Sequence, residues 1–133
     1  MTNGSGEKDL QTLLRSMEPT LEVGEWVFVT TDAAPASVAP LATFREAEGL
    51  SLLISRADAD SAGLSYDFVG SWISLTVHSA LDAVGLTAAI ATRLTEANIS
   101  CNVIAARHHD HIVVGVEDAD EALSQIKGLA ASS

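Results

Sequence analysis

Across residues 73–129 the apolar positions switch period three times, and that order of periods leaves few folds open. Ile73, Leu75 and Val77 alternate with Ser74, Thr76 and His78, the pattern of a strand with one apolar face. Leu86, Ile90 and Leu94 then recur every four residues, which predicts a helix over about 83–97 with Asn98 closing it. Ile99, Cys101, Val103 and Ala105 return to alternation, as do Ile112, Val114 and Val116, and residues 108–111 (HHDH) supply the turn of a hairpin. Ala119, Ala122, Leu123, Ile126 and Leu129 give a last amphipathic helix with Asp118 as its N-cap. The order strand, helix, strand, strand, helix is most of a ferredoxin-like βαββαβ unit. Only Ala131, Ser132 and Ser133 follow it, too few for the closing strand. A segment of the first half must fill that edge, or the edge stays open to a partner.

The first half carries a fainter version of the same order. Leu10, Leu13, Leu14 and Met17 share one face of a short helix, with Asp9 as N-cap and Pro19 as its stop. Gly24 and Glu25 predict a turn or bulge before a strand at 26–31, and residues 32–40 read as a loop rich in Ala and Pro. A helix is expected over about 38–48, ended by Gly49, then a strand at 50–56, a polar turn at 58–63 and a short strand at 66–69. The expected division is a flexible tail at 1–9, a degenerate unit at 10–70 and a clearer unit at 71–133. The expected fold is α+β: two intertwined ferredoxin-like copies with antiparallel sheets and helices on one face.

Composition narrows the classes of function. Apolar residues make up 47% of the 133, enough for a core without disulfides. Lys and Arg number 7 against 18 Asp and Glu, a net charge of −11. Such a chain lacks the basic footprint that meets nucleic-acid phosphate or an anionic membrane. The single cysteine, Cys101, excludes an internal disulfide framework and should be a small core residue facing the helices. The first ten residues hold no apolar secretion signal, and no apolar run reaches the length of a membrane span, so a cytoplasmic location is expected. Neither a P-loop nor a G-x-S-x-G elbow is present, and no cofactor is expected.

Residues 75–114 (LTVHSALDAVGLTAAIATRLTEANISCNVIAARHHDHIVV) resemble the ACT domain, and in particular short stand-alone proteins with two ACT-like units and no catalytic domain. The resemblance is carried by Asp82-Ala83-Val84-Gly85-Leu86, in the place of an Asp-x-Pro-Gly-Leu-like turn between first strand and helix, with Val84 where Pro is usual. It is carried again by Ile99-Ser100-Cys101-Asn102-Val103, which is similar to the strand that follows. The resemblance implies a module that binds amino acids and regulates a metabolic enzyme, commonly paired with a second copy and with ligand sites near the interface.

The turn at 82–86 offers a physical basis for that activity. A helix N-terminus leaves backbone N–H groups without intrahelical partners and is locally positive. Gly85 removes a side chain there, so a ligand carboxylate could approach the amides of Val84, Gly85 and Leu86, with Ala83 beside them and Asp82 on the ligand's ammonium. The plainer reading is a tight strand-to-helix turn with Asp82 capping the helix. His78 and Ser79 end the preceding strand, and sheet adjacency would bring Asn102 close to Ser79 or to the turn, unless Asn102 makes only a cross-strand hydrogen bond.

Three of the four histidines fall at 108, 109 and 111. In an extended chain His109 and His111 share one face, His108 and Asp110 the other. The pair could hydrogen-bond a ligand, hold a divalent metal with His78 or Asp110, or decorate a solvated turn. Three functions follow: a non-catalytic module for an amino acid or similar small zwitterion, acting as a homodimer or through an unidentified protein partner; a metal protein or enzyme built on His78, His108, His109 and His111; or a pure interaction module using an open sheet edge.

Overall fold

The computed structural model describes residues 9–77 and 79–133, so the expected tail at 1–8 and His78 lie outside the described residues. The chain divides into two compact units: residues 9–22 fold with 72–133, and residues 23–71 form the other. Residues 10–22, grouped with the first half on sequence grounds, thus pack with the second half.

In the larger unit, helix α1 (Leu10–Ser16) is capped as expected, the Asp9 carboxylate accepting from the Thr12 N–H at 3.0 Å and its hydroxyl at 2.8 Å. Strand β1 (Glu18–Leu21) follows at once and carries Pro19, which stands in the strand and not at the helix stop. It pairs antiparallel with β5 (Val69–Thr76), Leu21 opposite Ile73 and Glu18 opposite Thr76. This is the missing fourth strand, supplied from upstream in sequence. Helix α3 (Leu86–Glu96), the hairpin of β6 (Cys101–Ala105) and β7 (His109–Gly115), and helix α4 (Ala119–Ala131) complete the unit. Its strands run in the order β1-β5-β7-β6, the ferredoxin-like arrangement.

The helices cover one sheet face because the strand residues facing them, taken alternately along each strand, are apolar but for Asp110 at the start of β7. Leu13, Ile73, Leu75, Leu94, Ile112, Val114 and Ile126 are all fully buried in one cluster. Burying such a side chain contributes roughly 1.5–3 kcal/mol. Cys101 packs against this cluster, and burial pushes its thiol pKa up.

The smaller unit contains β2 (Trp26–Thr31), β3 (Ala42–Glu46), β4 (Gly49–Ser55) and α2 (Arg56–Ala62), with Val69 and Gly70 of β5 pairing with Val27 and Trp26. Its strand order, β3-β4-β2-β5, is the same ferredoxin-like pattern. The loop 32–41 stands where a first crossover helix would be, and its Val38 joins Val27, Val29, Leu52, Ile54 and Ala59 in a separate core.

Several local expectations are corrected. No helix forms over 38–48: Pro40 interrupts it, and Thr43 and Phe44 favour a strand that pairs with β4 across a two-residue turn at Ala47 and Glu48. Gly49 sits at φ +139 beside that turn. The expected turn at 58–63 is α2, whose N-cap Ser55 accepts from the Asp58 N–H at 3.1 Å and whose C-cap Gly63 lies at φ +68. The strand expected at 66–69 begins only at Val69. Helix α3 starts at Leu86, three residues late, because Gly85 at φ +104 cannot join it. Asp118 makes no side-chain cap, since a 3-10 turn (Val116–Asp118) leads into α4. The hairpin turns at 106–108, and His109 opens β7.

Candidate functional site

Ala80 opens the turn that leads to α3 by accepting from the Ala83 N–H at 3.0 Å, and Gly85 then enters the left-handed region as the N-cap of α3. The N-cap position of that helix, expected of Asp82, is held by Gly85, which has no side chain to cap with. Added bulk at Gly85 would meet Leu10 of α1, whose Cδ2 stands 3.1 Å from where a Cβ would be.

The turn closes one wall of a small concavity of about 90 Å³. Ser79, Ala80, Leu81, Ala83, Gly85, Leu86 and Thr87 line it from the turn, and Ala105 and Asp110 line it from the β6–β7 hairpin, where those two residues face each other in register. By the measure on which a single water needs about 10–15 Å³, the space accepts several heavy atoms. Of the residues predicted from sequence, the concavity gathers Ser79, Ala83, Gly85 and Leu86. Asp82 and Val84 are exposed on the same turn, Val84 to 84%.

Asn102, His109 and His111 are elsewhere. In the register Asn102 opposes Val113 and Ile104 opposes His111, whereas Ala105, Asp110, Ile112 and Val114 belong to the alternate set that faces the helices. Asn102 donates to the Val113 carbonyl across the strands at 3.4 Å. His111 accepts at Nδ1 from the Trp72 indole at 3.0 Å, and the His109 ring meets His111 edge-on at 6.4 Å. Burial lowers the pKa of His111, and the charge of His109 lowers it further, while Asp110 and Glu22 pull it back. His108 is exposed on the turn. Among the described residues no group of three or more His, Cys, Asp or Glu side chains converges as a metal ion requires.

The residue that sequence reasoning undervalued is Asp110. It is 6% exposed, and its carboxylate makes no hydrogen bond or ion pair among the described residues. Burial pushes its pKa up, with His111 and His109 pulling it back. The signal was its parity with Ile112 and Val114, which puts a carboxylate on the core-facing side of β7.

Comparison with known proteins follows the same lines. An ACT domain family model matches residues 5–71 and another matches residues 68–126. A crystal structure of a protein of unknown function from Vibrio cholerae, described as a possible transport protein, is 49% identical, with a TM-score of 0.82 over 92% of this chain and 97% of that one. A protein from Agrobacterium tumefaciens is 19% identical, with a TM-score of 0.61 over 80% of this chain and 84% of that one. The regulatory subunit of aspartate kinase from Thermus thermophilus is 7% identical, with a TM-score of 0.60 over 85% of this chain and 95% of that one, a likeness of fold alone. No curated protein matches the sequence. Among the described residues no helix is long and apolar enough to cross a membrane.

Proposed function

The chain belongs to the ACT-domain family, and from that premise we propose that it is a cytoplasmic regulatory module that binds an amino acid or similar small zwitterion and catalyses no reaction. The observation that carries the reading is the concavity closed by the start of α3. A helix terminus whose N-cap is a glycine presents backbone N–H groups and a locally positive end to whatever enters, and a ligand carboxylate suits both. The ligand site is the turn, from Ser79 through Leu86, and the left-handed Gly85 is its central element. Resemblance in fold to an aspartate kinase regulatory subunit supports the regulatory half of the reading. Output passes through a homodimer or a protein partner, with occupancy changing which packing is favoured.

Asn102, His109 and His111 belong, on this reading, to the opposite face and do not touch the same ligand. The experiment is a thermal-shift screen of the chain against the twenty amino acids. Filling a site to about 100 times its dissociation constant stabilises by roughly 2.7 kcal/mol, a shift of a few degrees. A shift with one or a few amino acids that disappears in Gly85→Ala is the expected result. No shift with any of them overturns the reading in favour of a pure interaction module.

A further inference from the structure

We propose that Asp110 is the ammonium anchor of this site, so that the ligand is selected as an α-amino acid and the corresponding acid without an amino group is rejected. The inference rests on the reading of 79–87 as a ligand site and adds the second pole of the ligand.

Asp110 stands on the helix-facing side of β7, in the alternation that continues through Ile112 and Val114 into the core. At that parity an apolar side chain would pack without cost. The residue as a whole is 6% exposed, and its carboxylate, which meets solvent at the concavity it lines, makes no hydrogen bond or ion pair among the described residues. Polar groups at core-facing positions in folded proteins are satisfied in the great majority, and a carboxylate held there with only the concavity to face is placed to be satisfied by what enters it. Asp110 lines the same small concavity as Gly85, Leu86 and Thr87 at the start of α3.

The two walls therefore carry opposite electrostatic character, an acceptor-only carboxylate on the hairpin and donor N–H groups on the turn. A zwitterion is the ligand whose two charges meet both. A plain carboxylate satisfies the helix terminus and leaves Asp110 without a counter-charge and repelling it. A plain amine satisfies Asp110 alone. The modest volume of about 90 Å³ suits an α-amino-acid headgroup.

The test takes the amino acid that gives the largest thermal shift and titrates it by calorimetry into the full chain. The same acid without its amino group is titrated in parallel. The wild type should bind the amino acid on the order of ten- to a hundredfold more tightly, the worth of a charge-assisted hydrogen bond. Asp110→Asn should erase most of that preference, and Gly85→Ala should weaken both ligands. Asp110→Ser serves as a second substitution, and far-UV circular dichroism confirms that each variant is folded. An Asp110→Asn protein that binds the amino acid within about twofold of wild type overturns the anchor. So does a wild type that holds both ligands equally. If the amino acid binds and Gly85→Ala abolishes binding while Asp110→Asn is silent, the anchor alone has failed. If no amino acid binds the wild type, the helix-terminus reading fails and takes the anchor with it.

Discussion

The indole N–H of Trp72 on β5 donates to Nδ1 of His111 on β7 at 3.0 Å. Indole nitrogen can only donate, so His111 is neutral in this pairing and carries its proton on Nε2. Burial disfavours the charged ring in any case, and His109 beside it adds repulsion.

A pH dependence follows, with its sign set by the lowered pKa of His111. The unfolded chain takes up the imidazole proton at higher pH than the folded one, so the contribution to stability is complete above the ordinary histidine range and is lost as pH falls through it. The urea midpoint should drop between pH 8 and pH 5 more steeply in wild type than in His111→Gln. Equal slopes would show that this ring contributes nothing to acid sensitivity.

Gly85 occupies φ +104, where an L side chain is strained, and a Cβ there comes within 3.1 Å of Leu10. Gly85→Ala should lower stability by about 1–2 kcal/mol through the backbone alone, since the Leu10 side chain can rotate away. Gly85→Val should cost more because its branched side chain cannot. Thermal denaturation without ligand separates this cost from any effect on binding.

Legibility in the sequence tracked one-sided burial. The stripe of α3 and the β6–β7 hairpin could be read because one face of each is packed and the other is not. β3 escaped notice because four of its five residues are exposed, which erases alternation. α2 escaped because it buries only Ala59. The turn half of the candidate site was visible through Gly85. Its hairpin half was not, because sheet adjacency pointed to Asn102, whereas the strand alternates and Asn102 lies on the face opposite to that of Ala105, three positions along.

The contribution of residues 9–22 to the larger unit is testable by subtraction. Leu13, Leu14 and Met17 are 0%, 5% and 3% exposed in the core, and β1 satisfies the edge of β5. Leu13→Ala should cost roughly 2–5 kcal/mol in urea unfolding. A chain that begins at residue 23 should lose cooperative unfolding of the larger unit, because it lacks both those side chains and the fourth strand. A sharp transition in that shortened chain would show that the remaining strands and helices suffice.

Asp110 should work against stability in the free protein, and the direction of its pKa fixes the sign. Its carboxyl is raised by burial, so the folded chain holds the proton to higher pH than the unfolded one. The favourable contribution is present below the ordinary carboxylate range and is lost as pH rises through the folded value, after which the buried charge is a constant cost. Asp110→Asn removes the charge while keeping the shape, so it should raise the urea midpoint at pH 7 and raise it less at pH 3. A bound ammonium would compensate the same charge. Saturating amino acid should therefore stabilise wild type more than Asp110→Asn at pH 7, reversing or narrowing the gap seen without ligand. An Asp110→Asn protein that is less stable than wild type in the absence of ligand would mean that the carboxylate already has a stabilising role in the free fold.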